Sequence, residues 1–487
     1  MRLASRRLIA VATVVGILGV ALVAFGMQGS DASLDAGSHG LINDDRPGIN
    51  AHNSPVAVAD PKDPDVLAVA DRIDTPNISC LVSLSGNRGV NWRGVDLPLP
   101  TGAANCYWPD VAFAPNGDLL VLTTAMGGRY TQPLGVWLQR LRQGVAVGAP
   151  VAVAGPNAFQ ATLALDGERV VVAYVQAQPE AADRPLGFPP GPNPLVVVTS
   201  ADGGATFSAP VTISEAERRV AVPRLVTGPG GLVVMSALDL VDDALDYDAS
   251  HEGQGGPPDP GHWRVVTWTS ADGGARFGPP AVVNDAIAIP QRIYVDVGAP
   301  RPGLARDPRS GRLYVTWESG VGRARDAFLA SSDDDGATWS PARPVATRPG
   351  TQSLPTVAVS PEGRVDVAFY DRSQDITDVR TEVALASSWD GGQSFTTSTI
   401  SLRRFDTRIG IGSFQGIPVL GTHLAVVAGV GDSVVFWADT RRGTQDDNVQ
   451  DIAVALVDVH GAGAVRRPLV LLGLLALVGA GALALRR

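Results

Sequence analysis

The sequence has little lysine and none of the common hydrolase or nucleotide-binding motifs. Lys62 is the single lysine, so nearly all positive charge is arginine, whose planar guanidinium suits bidentate contacts with carboxylates. A formal net charge of −10 argues against a general binder of nucleic acid or anionic surfaces. The chain lacks a G-x-S-x-G elbow, an H-E-x-x-H pair and a phosphate-binding loop. A serine hydrolase, a zinc protease or a nucleotide-binding protein therefore has no support.

Cysteine is almost as rare as lysine. Cys80 and Cys106 are the two cysteines of the chain, and their spacing fits no zinc-binding pattern. An exported protein could join them in a disulfide. The sequence does not show whether their Cα atoms come within the roughly 7 Å that a bridge requires, so it leaves a disulfide and two thiols both open.

The N-terminal segment has the order of charges typical of an export signal. Arg2, Arg6 and Arg7 precede an apolar run from Leu8 to Phe25. That run is long for the core of a signal peptide and just long enough to span a bilayer. Residues 1–30 are therefore predicted as a signal peptide or an uncleaved signal anchor.

A second apolar run ends the chain. Pro468 to Leu485 lies between two arginine pairs, and a helix of that length reaches ~27 Å, close to the thickness of a hydrocarbon core. Residues 461–487 are predicted as a transmembrane helix or a sorting segment that an envelope protease removes. The terminal arginines favour a cytoplasmic C-terminus. The expected location is the cell membrane with the middle of the chain outside the cytoplasm, or the envelope or medium if both segments are processed.

Between these ends, one hairpin pattern recurs seven times. Gly, Asp, Asn and Pro mark each turn, and alternating apolar residues flank it. The hairpins begin at Val56, Val111, Ala161, Arg224, Gly303, Thr356 and Leu424. Their intervals are mostly near the ~40 to 50 residues of a propeller blade. We therefore predict an all-β propeller of four-stranded antiparallel blades over residues 51–460, with seven blades favoured over six. Residues 31–50 are predicted as a linker whose Leu41–Asn43 closes the ring as a fourth strand.

A second repeat follows the third strand of most blades. Its cleanest copy is S-D-D-D-G-A-T-W from Ser332, and the other copies begin at Ser200, Ser270 and Ser388, with a degraded copy at Ser85. The aspartate can accept hydrogen bonds within its own turn, the glycine permits positive φ, and the final aromatic residue can anchor the turn in the core. The aspartates are Asp202, Asp272, Asp334 and Asp390.

This S-x-D-x-G-x-T-W/F pattern resembles the Asp box of the sialidase superfamily, also called the BNR repeat. The resemblance implies a sialidase-like β-propeller whose boxes lie on the face away from the active site. Catalytic sialidase domains have six blades, whereas seven units are counted here. The family's N-terminal F/Y-R-I-P signature is also missing, and Asp45-Arg46-Pro47-Gly48 is a faint echo of it.

Charged residues at the ends of the second strands form the candidate site. In four of the seven repeats a carboxylate is predicted at this rim, and in three of them an arginine follows. These groups form either Asp–Arg pairs that cap strand ends or a pocket for an acidic sugar. The resemblance implies Asp71 as acid/base, Glu318 as assisting carboxylate, and Tyr370 or Tyr294 as nucleophile. It also implies substrate-binding arginines, for which the candidates are Arg224, Arg292, Arg301, Arg372 and Arg441.

An acidic stretch from Asp239 to His262 is the one place where a cofactor is suggested. Ca²⁺ prefers six to eight oxygen ligands, and Asp242, Asp246 and Asp248 could supply some of them. The stretch lacks the glycine and spacing of an EF-hand loop, so a solvated acidic loop is the alternative. No other cofactor or metal site is predicted.

Together these features predict an exported, membrane-tethered, sialidase-like propeller. As an enzyme it would be a glycoside hydrolase of exo-sialidase type that acts on acidic sugars. The alternative is a non-catalytic propeller that binds glycans or envelope proteins. The expected partners are carbohydrate or glycoconjugate, and a membrane through the terminal helices, with no nucleic acid.

Overall fold

The predicted hairpins are present as strands in the computed structural model. It describes residues 15, 32–43, 51–75, 78–128, 133–178, 192–241, 261–288, 301–320, 322–410 and 419–461. The chain divides into two units, Ala36–Val457 and the termini Met1–Asp35 with Asp458–Arg487. Both predicted terminal segments lie outside the described residues, apart from Val15 and Gly461. Within the described part, no helix has the length and apolar character needed to cross a membrane.

Seven antiparallel sheets form the propeller, which confirms seven blades of four main strands. Blade 1 contains the strands His52–Asp60, Asp63–Ile73, Ser79–Ser85 and Arg93–Val95. Blade 2 contains Asn105–Phe113, Leu119–Met126, Pro133–Arg142, Val145–Ala146 and Val151–Ala154. Blade 3 contains Ala158–Asp166, Arg169–Gln176, Leu195–Ser200 and Val211–Thr212. Blades 4 and 5 contain Val220–Gly228, Leu232–Asp239, His262–Ser270, Ala281–Ala288; and Gly303–Arg306, Leu313–Ser319, Asp326–Ser332, Arg343–Pro344. Blades 6 and 7 contain Gln352–Val359, Val365–Asp371, Arg380–Ser388, Thr396–Thr399, Phe405–Asp406; and Ala425–Ala428, Asp432–Asp439, Asp451–His460, Ser33–Leu41. Short 3-10 turns occur at Pro229–Gly231 and Gly322–Ala324.

The strand that closes the ring comes from the N-terminal side, but its predicted position was wrong. The strand is Ser33–Leu41, not Leu41–Asn43. Most of its side chains are exposed or half-exposed, so it lacks the apolar alternation by which the other strands were recognised. Ile42 and Asn43 still contact blade 7, because the Ile42 amide donates to Ile452 O at 2.9 Å and Asn43 Nδ2 donates to Asp451 Oδ1 at 2.9 Å.

Apolar side chains fill the space between neighbouring blades. One cluster combines Val171 and Val197 of blade 3 with Met235 and Trp268 of blade 4, and similar clusters lie at the other interfaces. Fully burying one such side chain contributes roughly 1.5–3 kcal/mol. The alternation of Val, Leu and Ala along each strand thus supplies both faces of every sheet with contacts.

The repeated turns have the predicted hydrogen bonds. In the turn at Asp334, Ser332 Oγ donates to Asp334 Oδ1 at 2.8 Å and accepts from the Gly336 amide at 2.9 Å. The Thr338 amide and hydroxyl donate to the same carboxylate at 2.9 and 2.6 Å. The hydrogen bonds from Thr338 and Ser332 lower the pKa of Asp334 to about 2. The turns at Asp202 and Asp390 share this pattern, and the turn at Asp272 shares it except for the hydroxyl, because Arg276 stands in place of the threonine.

The repeated turns and the first hairpin turns lie on one face, called here the turn face. The Gly273 amide donates to Gly231 O at 2.8 Å, which joins the two turns of blade 4. The aromatic side chains of the repeated turns pack into the blade interfaces, and Trp339 Nε1 of blade 5 also donates to Thr267 Oγ1 of blade 4 at 3.1 Å. The opposite face therefore carries the beginnings of the inner strands and the ends of the second strands.

Candidate functional site on the axial face

The inner strands of five blades contain a bulge near the face opposite the turns, called here the axial face. At each bulge a residue other than glycine has φ close to +50°, which is uncommon. These residues are Ser54 (52°), Trp108 (51°), Gln160 (49°), Val222 (51°) and Leu354 (53°). Bulges redirect side chains, and such backbone conformations cluster at functional sites. In four of the five, proline follows directly. This recurring x-Pro signal was missed in the sequence.

Neighbouring blades hold three backbone amides at this level through side chains. The Val222 amide donates to Gln160 Oε1 at 2.8 Å, and the Thr422 amide donates to Ser54 Oγ at 3.0 Å. The Leu354 amide donates to Glu318 Oε2 at 2.7 Å. The unusual backbone is therefore fixed by contacts between blades, not by local sequence alone.

Glu318 is buried in this network. Its other carboxylate oxygen accepts from Arg325 Nη1 at 3.2 Å, and both side chains are almost fully shielded from solvent. Glu318 thus links its own blade to the Leu354 bulge of the next. Its predicted role as assisting carboxylate stays a prediction.

Tyr370 and Asp71 are also fully buried and paired. Tyr370 Oη donates to Ala438 O at 3.1 Å and accepts from the Ala438 amide at 3.0 Å, so it joins blades 6 and 7. Asp71 Oδ2 lies 2.6 Å from His52 Nδ1. The roles of nucleophile and acid/base likewise stay predictions.

Strand register places the predicted rim carboxylates at different positions along their strands. The residue after the inner-strand proline lies opposite Ala70 in blade 1, Thr316 in blade 5 and Ala368 in blade 6. Asp71 lies one residue beyond Ala70 along its strand, Glu318 lies two residues beyond Thr316, and Asp371 lies three residues beyond Ala368. Because side chains alternate across a strand, Glu318 points to the opposite sheet face from the two aspartates. The sequence match of Ala-Asp-Arg with Tyr-Asp-Arg is therefore out of register by two residues.

Two of the predicted arginines meet at the axis. Arg224 Nη1 of blade 4 lies 3.6 Å from Asp110 Oδ2 of blade 2, so the pair spans blade 3. The same oxygen accepts from Thr162 Oγ1 at 2.6 Å and the Leu163 amide at 3.1 Å. The Asp110 charge is thus shared among several donors, and Arg224 is its loosest contact.

Arg301 lies beside this pair. Its backbone amide donates to Thr422 O of blade 7 at 3.3 Å, so the start of blade 5 reaches past blade 6. The residue is 8% exposed, and Nη1 is a buried atom with no hydrogen-bond partner in the described part of the chain. Burial, and then the charge of Arg224, lower the pKa of Arg301. Arg301 and Arg224 both line an axial cavity of about 40 Å³ whose other walls are mostly apolar.

His423 and Trp108 complete the axial cluster, and neither was predicted. The two rings lie 6.3 Å apart although they belong to blades 7 and 2. His423 Nδ1 contacts Thr422 Oγ1 at 2.7 Å. Burial, followed by the charges of Arg301, Arg224 and Arg72, lowers the pKa of His423 well below its usual value, which keeps the ring neutral. Over the described ranges, His423 Nε2 and Trp108 Nε1 are buried without a hydrogen-bond partner.

The remaining predicted residues do not join this cluster or lie outside the described ranges. Arg372 lies 3.8 Å from Asp378 in blade 6, and Arg441 pairs with Asp439 in blade 7. The positions outside the described residues are Arg292, Tyr294, Asp242, Asp246 and Asp248. The calcium prediction is therefore untested, and among the side chains that are described no group of three or more His, Cys, Asp or Glu could hold a metal ion.

A disulfide borders the axial cluster. Cys80 of blade 1 and Cys106 of blade 2 are bonded, with their Cα atoms 5.7 Å apart. Cys106 directly precedes Tyr107, whose hydroxyl accepts from Arg72 Nη1 at 2.7 Å. The bridge that the sequence left open therefore ties blades 1 and 2 together two residues before Trp108.

These features define a seven-bladed β-propeller with a buried cationic cluster on its axis. No family model and no curated protein sequence matches the chain. Among solved structures, it is similar to a protein of unknown function from Dyadobacter fermentans (14% identity, 88% of this chain and 99% of that chain, TM-score 0.49). It is also similar to an α-L-arabinanase from Penicillium chrysogenum (15%, 74% and 96%, 0.42) and a Hadza microbial sialidase (12%, 80% and 76%, 0.42). Most such neighbours are named as carbohydrate-processing enzymes, and these likenesses concern the fold alone.

Proposed function

We propose that this propeller binds acidic carbohydrate at the axis of the axial face, with Arg301 and Arg224 contacting the acid group. The observation that carries the proposal is the Arg301 guanidinium, which is buried beside a second arginine and has one nitrogen, Nη1, without a hydrogen-bond partner among the described residues. A buried cation without a partner is costly, and a carboxylate or sulfate would satisfy it with charge-assisted hydrogen bonds.

The local charge balance supports an anionic ligand. Two guanidinium groups share the one carboxylate that acts on Arg301, and Asp110 already accepts from Thr162, Leu163 and Val111. The charges that act on His423 are all arginines. The axial cluster therefore carries a positive charge that Asp110 does not cancel.

The neighbouring groups suit a sugar. Trp108 and His423 are buried in the axial cluster, and among the described residues Trp108 Nε1 and Nε2 of the neutral His423 ring have no hydrogen-bond partner. Sugar rings pack on aromatic faces, and their hydroxyls donate and accept hydrogen bonds. The resemblance of the repeated turns to the Asp box also favours carbohydrate as the carrier of the acid group.

The finer proposal of exo-sialidase hydrolysis continues to rest on that resemblance. Asp71, Glu318 and Tyr370 each already pair with other protein groups, which favours binding over turnover through these residues. Export and membrane tethering likewise remain proposals based on the terminal apolar runs.

The test uses the purified full chain and matched pairs of oligosaccharides that differ in one acid group. We expect the wild type to bind the acidic member more tightly than the neutral one. Arg301→Gln should abolish that difference. Arg309→Gln is the control, since this exposed arginine lies in the same blade on the turn face. Equal affinity for both members, or an unchanged preference in Arg301→Gln, would reject the proposal.

The same panel tests turnover. Sugar release that disappears in Glu318→Gln and Tyr370→Phe, while both proteins remain folded, would support the hydrolase. Release that both variants retain would place the chemistry at other residues. Acid-selective binding without release from any substrate would identify a binding propeller.

A further inference from the structure

The axial cavity between the two arginines is too small for a sugar. It encloses about 40 Å³, with Arg224, Arg301 and Thr356 among its lining residues. By the same measure one water needs roughly 10–15 Å³, whereas pockets for drug-sized ligands enclose about 300–1,000 Å³. The cavity therefore has room for about three waters or one small solute, and it excludes a pyranose ring.

Its walls disfavour a cation. Among the described residues that line it, the charged side chains are the two guanidinium groups, and most of the others, including Val56, Leu304 and Leu424, are apolar. The Thr356 hydroxyl already donates to Leu424 O at 3.0 Å. Water can accept from the guanidinium N–H groups but leaves their charge unbalanced, whereas a compact anion neutralises it.

We infer that the axial cavity is a binding site for one small monovalent anion, of the size of chloride, held by Arg301 and Arg224. Arg301 lines the cavity, and an anion beside its guanidinium group offsets a charge that is buried and has a nitrogen, Nη1, without a hydrogen-bond partner among the described groups. It neutralises the charge that Asp110 leaves, because that carboxylate lies 3.6 Å from Arg224 and is shared with other donors.

One consequence of this inference rests on the proposed function. If an acidic sugar uses the same arginines, a free anion in the cavity competes with the acid group of that sugar. The shared chemistry is a small anionic group, and its two sources are a dissolved halide and the acid group of a glycan. Halide binding itself requires no glycan.

The test measures thermal unfolding of the full chain, without glycan, over a series of sodium chloride and sodium bromide concentrations. A ligand that binds only the folded state raises the unfolding temperature with its concentration. We expect a saturable rise in both halides. This rise should vanish in Arg301→Gln and persist in Arg309→Gln.

Crystals of the wild-type protein in bromide give a second measurement that does not depend on a variant. We expect an anomalous peak between the guanidinium groups of Arg224 and Arg301. No saturable rise in either halide, a rise that Arg301→Gln retains, or a cavity without a bromide peak would each overturn the inference.

A glycan arm separates this inference from the proposed function. If both hold, chloride weakens binding of the acidic oligosaccharide and leaves the neutral one unchanged. A halide response without acid-selective glycan binding would support the anion site and reject the glycan proposal. Acid-selective binding without a halide response would support the glycan proposal and reject the anion site.

Discussion

The two faces of the propeller provide hydrogen-bond partners for their polar groups in opposite ways. On the turn face, Asp334 and its relatives in the other blades accept hydrogen bonds from residues within five positions of themselves. On the axial face, Glu318 and Tyr370 are paired across blades, and Arg301 Nη1 has no partner in the described chain. The comparison indicates that the turn face is a repeated local structure, whereas the axial face is a single assembly that depends on the closed ring.

Removing a buried charge on the axial face should have the largest effect. Glu318→Gln removes the carboxylate charge that faces the buried Arg325, and we expect a loss of about 3–5 kcal/mol in the free energy of unfolding. The matched control is Asp333→Asn, which breaks the exposed Arg312–Asp333 pair of the same blade and should cost at most about 1 kcal/mol. Denaturant titration measures both. Equal losses would contradict the contrast between the faces.

A single hydroxyl tests the junction of blades 6 and 7. Tyr370→Phe leaves the amide and carbonyl of Ala438 without their partner, and we expect a loss of about 1–3 kcal/mol. Tyr314→Phe provides the comparison near the turn face, where Arg312 keeps its pair with Asp333 and the loss should be smaller. If the Tyr370→Phe protein is as stable as the wild type but has no activity, the result would favour the predicted role of Tyr370 as nucleophile over a structural role.

The faces should also titrate in different pH ranges. Burial and nearby arginines lower the pKa of His423, so below about pH 6.5 the unfolded chain takes up a proton that the folded chain does not. Stability should then fall with decreasing pH, with a contribution from this residue of up to about 1.4 kcal/mol per pH unit. His423→Gln should remove that contribution. An unchanged pH profile in this variant would show that His423 is not held neutral.

The carboxylates of the turn face affect stability at lower pH than His423 does. Hydrogen bonds lower the pKa of Asp334 to about 2, so its stabilising effect is complete above about pH 4 and is lost as pH falls towards 2. The sign is the same as for His423, but the range is more acidic. Acid unfolding of wild type and Asp334→Asn, followed by circular dichroism, measures the difference.

The smallest effect is expected from Asp334→Asn at neutral pH. The degraded turn of blade 1 has Asn87 in this position, and its side-chain oxygen still accepts from the Asn91 amide at 2.9 Å. Asparagine at position 334 can therefore keep the main acceptor of the turn. We expect an unfolding temperature slightly below that of the wild type and above that of Tyr370→Phe. The opposite order would contradict the local character of the turn face.

The fold could be predicted from sequence because its signals are local. Strand alternation and the turn residues around Asp334 lie within a few positions of each other, so seven blades and the turn geometry followed from the pattern. The closing strand was misplaced because Ser33–Leu41 is largely exposed and lacks an apolar pattern. Its register, like that of the second strands, depends on pairing partners that are distant in the chain.

The candidate site could be predicted only in part. Arg224 and Arg301 were among the candidate arginines, but nothing in their own segments indicates that they meet near Asp110. Trp108 and His423 were missed because their positions depend on bulges and on blades that are not neighbours. The x-Pro pair at four of the five bulges was an available signal. Motif similarity selected Glu318 and Tyr370 by residue type, without the burial that the structure shows.

A crystal structure of the full chain with an acidic disaccharide tests the central claim most directly. The account predicts that the disaccharide lies on the axial face, with its acid group against Arg301 and Arg224 and its ring near Trp108 and His423. A disaccharide bound at the repeated turns, or on the axial face without contact to either arginine, would contradict it.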